Sequence, residues 1–523
     1  MPTRVLDVGL IDDGRLSVDN RAPVYLVDAI EITGDRTYAC LSHRWNTSRK
    51  NIITEKATHE KHESGIEFQQ LGLAYQDTVH ILRRLGVRYL WIDSLCIIQD
   101  DKDDWETESK MMAKVYSSAL FTLARHCDAT TSLVRARHPA IVVSETISPP
   151  VYARAIIDHV WDFGGWASMV KHGTLLRRGW VYQERLLSPR VIHLTEHEIS
   201  WECQSVSDCQ CKHGESRARS SIFVPKIWHT RALAPGGRDA TKHKDAIAKR
   251  WRAMVGEYSG LQLTKQTDRL PAIRGCAEQI YAQLKDSGHI KTDFDGSYSF
   301  GLWEHCLVSD MAWRSWGRRE STLQRSPQLF PVPTWSWVPV NATVLYPDQG
   351  SDRKKLHAQA NLLRTRDDAR GRHTSTYIIL TAQTIPARLK LERRSAIGDS
   401  DHDSTRQVSI HITPDYLQCG STSTSLHRLN SRFEADFEFR SANWDEEAWY
   451  DITIVRLAGF EDGDSVCLLL WRYGKSVPGS GVHRETKDNI PIYQRIGMLN
   501  AWRTTGEGSI DWSKAEKTTI AIE

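Results

Sequence analysis

The 523-residue sequence contains no long apolar segment. A membrane-spanning helix needs about 18 to 20 consecutive apolar residues, and no run here approaches that length. The first residues, MPTRVLDVGLIDDG, also lack the apolar stretch of a secretory signal peptide. We therefore expect no membrane span, a cytoplasmic location and reduced cysteines.

An excess of charge of one sign is also missing. The 68 Lys and Arg residues stand against 65 Asp and Glu residues, which gives a formal net charge of only +3. Proteins that bind nucleic acid carry a clear excess of basic residues, usually clustered on one face. The composition therefore argues against nucleic acid as a partner.

Several common catalytic motifs do not occur. The sequence has no Walker A loop, no G-x-G-x-x-G and no G-x-S-x-G. HLTEH at 193–197 has the letters of a zinc-protease motif, but its surroundings alternate like a β-hairpin, whereas that chemistry needs both histidines on one helix face. We expect no metal, and a structural zinc on Cys203, Cys209, Cys211 and His213 is the less favoured alternative because the spacing is unusual.

The composition is that of a large globular protein. Hydrophobic residues make up 40% of the chain and 19 residues are Trp, enough to fill more than one core. Three regions differ in pattern: 1–225 has α/β character, 226–340 is mainly helical, and 341–523 is rich in β-strands separated by charged or Ser/Thr-rich loops. We predict three domains with these boundaries, with the helical segment packed on the first.

Residues 24–125 alternate short apolar runs with helical periodicity, which is typical of βα units around a mostly parallel sheet. The apolar runs TYACLS (37–42), RYLWID (88–93) and ALFTLAR (119–125) predict three strands buried on both faces. The sequence thus predicts an α/β fold for the first region.

Two helices are predicted between these strands. The first ends at Gly86, a plausible helix C-cap. The second begins after Asp103 or Asp104, which can cap it, and its buried face includes Trp105. Both have the length of a crossover connection between parallel strands.

Two further segments have interpretable patterns. Residues 174–203 predict a helix ending near Pro189, followed by a hairpin of RVIHL and EISWEC. In VPTWSWVPV, alternation predicts a strand in which Trp335 and Trp337 are structural.

Polar residues follow the predicted parallel strands. Ser42, Asp93 and Arg125 lie at their carboxyl ends, where ligands bind in open α/β sheets. Arg44 and Trp45 lie on the loop after the first strand. The sequence leaves two interpretations open, a polar ligand crevice or residues that merely cap turns and helices.

A second group lies on the predicted helix before Pro189. Trp180 and Glu184 are four residues apart and share one helix face, with arginines around them. They form either a functional pair or part of an ordinary surface helix in which Glu184 binds an arginine.

The segments YACLSHRW, LGLAYQDTVHILRRLGVRYLWIDSLCIIQDD and RRGWVYQERLLSPRVIHL resemble successive blocks of the fungal heterokaryon incompatibility (HET) domain. The resemblance is strong over residues 38–203 and weaker further on. It implies a role in non-self recognition and programmed cell death, with an incompatibility partner protein or self-association.

HET domains also resemble Toll/interleukin-receptor (TIR) domains, which have a flavodoxin-like fold and in some members cleave NAD. The resemblance implies that Glu184 is catalytic. It implies that Ser42, Arg44, Trp45, Asp93, Arg125 and Trp180 bind substrate. NAD would be the substrate, and no cofactor would be needed. The alternative is a non-enzymatic signalling or assembly module whose C-terminal domain recognises a partner.

Overall fold

The computed structural model describes residues 1–10, 21–45, 52–126, 141–144, 151–153, 175–195, 199–210, 225–234, 240–316, 332–340, 342–348, 357–364, 377–393, 406–412, 432–435, 449–460, 465–472, 489–501 and 510–522. The chain divides into two compact units. The first comprises Met1–His243 and Leu261–Gln283, and the second comprises Lys244–Gly260 and Leu284–Glu523.

The strands of the first unit are short. They are β1 (Arg4–Asp7), β2 (Tyr25–Asp28), β3 (Tyr38–Ser42), β4 (Tyr89–Trp91), β5 (Thr122–Arg125), β6 (Ile141–Ser144), β7 (Val151–Ala153), β8 (Arg190–Leu194), β9 (Ile199–Cys203) and β10 (Ser207–Cys209).

The helices up to residue 286 alternate with these strands or follow them. They are α1 (His59–Ser64), α2 (Leu73–Leu85), α3 (Asp93–Cys96), α4 (Lys102–Ser118), α5 (Val181–Leu187), α6 (Pro225–Leu233), α7 (Ala240–Ser259) and α8 (Pro271–Asp286). Most of α7 belongs to the second unit.

Eight strands of the first unit form one mixed sheet in the order β10-β9-β8-β5-β3-β4-β1-β2. The four central strands β8, β5, β3 and β4 are parallel, and the flanking pairs are antiparallel. The α/β prediction is therefore confirmed, as are the three predicted strands and the hairpin of β8 and β9. The antiparallel strands β1 and β2 were not predicted.

The two predicted crossover helices are present, with two corrections. Helix α2 ends at Gly86, whose φ of 69° is the left-handed conformation that favours glycine. Helix α4 is capped by Asp101, which accepts hydrogen bonds from the amides of Asp103 and Asp104, so the prediction that one of those two residues caps the helix was wrong. Trp105 does not belong to the buried face, because it is 36% exposed.

Helix α8 packs unusually close to α4 and α5. A Cβ added at Gly275 would collide with the Cβ of Ala113 on α4 and lie 3.0 Å from the Oε1 of Gln183 on α5. The absence of a side chain at residue 275 therefore lets three helices of the first unit meet.

Besides most of α7, the second unit contains two short helices and most of the strands. The helices are α9 (Phe294–Ser297) and α10 (Leu307–Asp310), and the strands are β11 (Tyr298–Ser299), β12 (Leu302–Trp303), β13 (Arg314–Trp316), β14 (Thr343–Leu345), β15 (His357–Ala358), β16 (Asn361–Arg364), β17 (Ile378–Arg393), β18 (Arg406–Ile412), β19 (Arg432–Ala435), β20 (Trp449–Gly459), β21 (Ser465–Arg472), β22 (Ile492–Ala501) and β23 (Glu516–Ile522).

The long strands of this unit close on themselves. Strand β17 pairs with both β20 and β23, so β20, β21, β22, β23 and β17 form a ring of pairings, in which only β22 and β23 are parallel. The prediction of a mostly antiparallel β-rich C-terminal region is confirmed by these described strands.

Trp335 and Trp337 are buried in the second unit. The indole Nε1 of Trp337 donates to the carbonyl of Gly301 at 3.1 Å. The backbone here forms turns, with Ser336 N bonded to Pro333 O, so the predicted strand is wrong.

No helix among the described ranges is long and apolar enough to cross a membrane. Seven of the ten cysteines lie in described parts of the chain, and none of these seven forms a disulfide: Cys40, Cys96, Cys203, Cys209, Cys276, Cys306 and Cys467.

The close approach of α8 generates a test. Gly275→Ala is expected to lower the stability of the first unit by about 1–3 kcal/mol, because the added methyl overpacks a helix contact. Denaturant unfolding followed by circular dichroism measures the change. Gly72→Ala is the matched control, since a Cβ there meets nothing within 4 Å. Equal unfolding midpoints for the two variants would contradict the packing argument.

Candidate functional site

Glu184 lies on α5, a short helix that is buried on every side. All seven of its residues are buried, and Glu184 itself is 6% exposed. Near the end of the helix the Ser188 hydroxyl donates to the carbonyl of Glu184 at 2.7 Å, and the ammonium of Lys226 donates to the carbonyl of Arg185. The helix places a carboxyl group inside the first unit rather than on a surface.

The environment of this carboxyl favours its neutral form. Burial raises the pKa of Glu184 to about 7, and the nearby charge of Asp93 acts in the same direction. Ser42, Arg178 and Tyr116 oppose the shift and favour the anion. The group therefore changes charge close to neutral pH, which is a property of catalytic acids and bases.

The Ser42 hydroxyl lies beside this carboxyl at the end of β3. It is buried, and among the described residues no side chain or backbone group meets the geometry of a hydrogen bond to it. It is nevertheless near enough to Glu184 to lower the pKa of that carboxyl. A buried hydroxyl without a partner is costly, and such groups are often satisfied by a ligand or water.

Asp93 follows β4 and begins α3, where it orients an aromatic ring. Its Oδ2 accepts a hydrogen bond from the indole Nε1 of Trp45 at 3.0 Å, and its Oδ1 accepts one from the amide of Ser94 at 2.8 Å. The carboxylate therefore fixes Trp45, which is partly buried, at the carboxyl ends of the parallel strands.

Trp180 precedes α5 and is held by a part of the chain far along the sequence. Its Nε1 donates to the Oδ2 of Asp268 at 3.1 Å. The backbone beside it pairs with Gln262, whose amide donates to Arg177 O and whose carbonyl accepts from Gly179 N. Residues 262–268 thus position the turn that carries Trp180 and leads to Glu184.

The two predicted arginines differ in position. Arg125 ends β5 but is buried, and its guanidinium donates to the Oδ2 of Asp77 on α2 at 3.0 Å. Arg44 is exposed. The structure therefore brings Ser42 and Glu184 together with Asp93 nearby, links Trp45 to Asp93, and places Arg125 in a buried ion pair.

The sequence interpretation did not select several residues of this region. Tyr116 on α4 and Arg178 before α5 both influence the Glu184 carboxyl. Behind them, the Tyr75 hydroxyl lies 3.0 Å from His43 Nε2 and 2.7 Å from the Ser94 hydroxyl. Tyr116 and Arg178 stand in the same family-like blocks as the selected residues, so that proximity in sequence was the available signal.

Within the described part of the chain, no group of three or more His, Cys, Asp or Glu side chains is arranged to hold a metal. His193 lies on strand β8, where a helical zinc motif cannot form. Cys203 accepts hydrogen bonds from the amides of Ser205 and Val206. The other proposed ligands, Cys211 and His213, lie outside the described residues.

The geometry combines a carboxyl group that ionises near neutral pH, a buried hydroxyl beside it and an anchored indole at the carboxyl ends of the parallel strands. A carboxylate with these properties can stabilise a developing positive charge or accept a proton. An indole ring can stack against a flat aromatic ligand.

Comparison with known proteins gives one match. Residues 38–184 match the family model for the heterokaryon incompatibility protein (HET), a span that contains Ser42, Asp93 and Glu184 but not Asp268. No curated protein and no solved structure matches the chain.

The raised pKa of Glu184 predicts a pH-dependent stability. Below the ordinary pKa of 4.5 the carboxyl is neutral in folded and unfolded chains; as pH rises towards 7 and beyond, ionisation increasingly favours the unfolded chain. Glu184→Gln should therefore be more stable than the wild type at pH 8.5, by up to about 3 kcal/mol, and nearly equal at pH 5.

Denaturant unfolding at the two pH values measures this difference. Other titrating groups are common to both proteins and cancel. The control is Glu60→Gln on the exposed side of α1, which should show no change with pH. A Glu184→Gln variant that is destabilised equally at both pH values would contradict the prediction.

Proposed function

We propose, from the premise that residues 38–184 form a heterokaryon incompatibility (HET) domain, that the chain acts in non-self recognition and programmed cell death. We further propose that it does so in the cytoplasm by cleaving the bond between nicotinamide and ribose in NAD. The buried Glu184 carboxyl beside the Ser42 hydroxyl is the observation that carries this second step.

The order of the parallel strands supports a TIR-like site. In chain order, the first to fourth parallel strands are β3, β4, β5 and β8. Across the sheet, these strands lie in the order second, first, third, fourth. This is the beginning of the flavodoxin-like order, in which ligands bind where the first and third strands diverge. Ser42 ends the first of these strands and Arg125 ends the third.

Cleavage of the bond between nicotinamide and ribose requires one anionic group near the ribose. The nicotinamide of NAD is cationic and leaves as a neutral molecule, so its departure needs little help from a general acid. The ribose carbon gains positive charge in an oxocarbenium-like transition state, which a nearby carboxylate stabilises. Glu184 takes this role when ionised, and Ser42, Tyr116 and Arg178 favour that ionised form.

The other selected residues have narrower roles in this proposal. Trp45, fixed by Asp93, offers a ring that can stack on nicotinamide or adenine, and Trp180 is the second candidate. The pyrophosphate is assigned to Arg44, which is exposed, in preference to Arg125, whose charge is already paired with Asp77.

The alternative is a non-enzymatic assembly module. One observation favours it: Ile199 and Val206 are 46% and 49% exposed, and they flank the hairpin of β9 and β10 at one edge of the sheet. Apolar side chains at an open sheet edge are typical of contact with another chain. In this alternative a second copy of the chain covers this edge of the sheet, and Glu184 has only a packing role.

Loss of NAD distinguishes the two functions. Glu184→Gln keeps the shape of the side chain but removes its charge, and we expect a fall of two to three decades in NAD turnover by the purified chain, as is typical for loss of one stabilising group. In the wild type, turnover should rise as the pH passes through about 7, because the anion is the active form.

Glu106→Gln on the exposed face of α4 is the matched control and should turn over NAD at the wild-type rate. The assay is run with the full chain, both alone and clustered on a multivalent support. Equal NAD loss and equal toxicity for wild type and Glu184→Gln, at matched expression, would favour the assembly module.

A further inference from the structure

The side chains of His193 and Glu202, which are buried, and of His126, which is partly buried, form a continuous hydrogen-bonded line. His193 Nε2 lies 3.0 Å from the Oε2 of Glu202, and His193 Nδ1 lies 2.9 Å from His126 Nε2. His193 is on β8, Glu202 is on β9, and His126 directly follows β5. Neither the HET match nor the proposed role of Glu184 accounts for this line.

The Glu202 carboxylate determines which group donates and which accepts in each of these hydrogen bonds. Burial alone would raise the pKa of Glu202, but Arg185, His193 and Lys226 hold it below its ordinary value, so the group is ionised and only accepts. His193 Nε2 must therefore donate. Burial lowers the pKa of His193, so the ring is neutral, its Nδ1 accepts, and His126 Nε2 donates to it.

The Nδ1 of His126 keeps a lone pair that accepts no hydrogen bond in the described structure. Burial, together with the charge of Arg185, keeps the pKa of His126 well below its ordinary value, so this ring is also neutral. With its proton on Nε2, its Nδ1 is an acceptor. In the described structure Nδ1 is buried and has no hydrogen-bond partner. Such an atom is available to a proton donor that the chain itself does not provide.

The pairing register places His126 on the same face of the sheet as Ser42. Ser42 pairs with Ala124 and Ala124 pairs with His193, so these three side chains form one row across neighbouring strands. His126 is two residues beyond Ala124 and points to the same face. From the spacing of strands and residues, its Cα lies roughly 8 Å from that of Ser42.

His126 and Ser42 therefore lie at the carboxyl ends of neighbouring parallel strands, the part of an open α/β sheet where ligands bind. Ala124 lies between Ser42 and His193 in the row and contributes only a methyl group. Glu184 approaches the row from the Ser42 side.

We propose that His126 is the general base that deprotonates the attacking water, held in the correct tautomer by His193 and Glu202. This inference rests on the proposed NAD cleavage and adds the activation of the water molecule that accepts the ADP-ribosyl group. His126 touches the nucleophile, while His193 and Glu202 are positioning residues.

The step balances in atoms and charge. The bond from the ribose C1′ to the nicotinamide nitrogen breaks, and the nitrogen keeps the electron pair. The water oxygen bonds to C1′, and its proton passes to His126 Nδ1. The products are ADP-ribose, neutral nicotinamide and one proton, which His126 returns to solvent. The buried cations Arg185 and Lys226 favour that release, since they disfavour a charged His126.

The test separates water activation from bond cleavage. Nicotinamide itself can attack the ADP-ribosyl intermediate through its nitrogen lone pair, which carries no proton to remove. With the full-length chain, hydrolysis is measured as ADP-ribose formed, and exchange is measured as labelled nicotinamide incorporated into NAD. His126→Asn is expected to lose about 100-fold in hydrolysis while exchange stays within about threefold of wild type.

Glu184→Gln is expected to lose both reactions. The matched control is His80→Asn on α2, outside the proposed site, which should change neither. If His126→Asn unfolds at a lower denaturant concentration than wild type, His126→Gln gives the same measurement with a side chain of different length. A tautomer readout accompanies these rates: the ¹⁵N shift of His126 Nδ1 in the wild type should be that of an unprotonated nitrogen at pH 7.

The outcomes separate the two proposals. A wild-type chain that performs both reactions, with an unchanged ratio of hydrolysis to exchange in the His126 variants, overturns the general base and leaves Glu184 in place. A wild-type chain that performs neither reaction overturns NAD cleavage, and the general base with it. A protonated His126 Nδ1 at pH 7 overturns the base independently of any rate.

Discussion

The burial of the Glu184 carboxyl is the constraint around which the first unit is arranged. Taking a carboxylate out of water costs free energy unless another group compensates. The guanidinium of Arg178, which favours the anion, donates its hydrogen bond to the carbonyl of His43 instead. The compensation is therefore partial, and the carboxyl remains poised between its two forms near neutral pH.

Two ion pairs of the same unit provide a contrast to Glu184. Arg125 and Asp77 lie 3.0 Å apart with both side chains buried. Arg4 bonds to both carboxylate oxygens of Asp104. Buried pairs of this kind contribute chiefly by satisfying charges that would otherwise be costly. By contrast, burial raises the pKa of the Glu184 carboxyl to about 7.

The sequence predicted the elements that repeat a simple pattern. Strands β3, β4 and β5 were evident from apolar runs, and Gly86 was evident as a helix end. The N-cap was misplaced by two residues because Asp101, Asp103 and Asp104 are chemically equivalent candidates, and only the backbone turn selects one. The proximity of Ser42 to Glu184 followed from the α/β pattern and the family resemblance. The anchoring of Trp180 by Asp268 could not be predicted, because 88 residues separate them and no local pattern links them.

Two buried glutamates of the first unit illustrate how environment assigns different roles to the same side chain. Glu184 has its pKa raised to about 7 by burial, whereas Glu202 has its pKa lowered by Arg185, His193 and Lys226 despite burial. Pairs of carboxyls whose environments separate their pKa values often mark distinct chemical duties. Glu202 stays ionised and can only orient its histidine neighbours. Glu184 gains or loses charge near neutral pH, so its carboxyl is expected to contribute to any response of this unit to pH near 7.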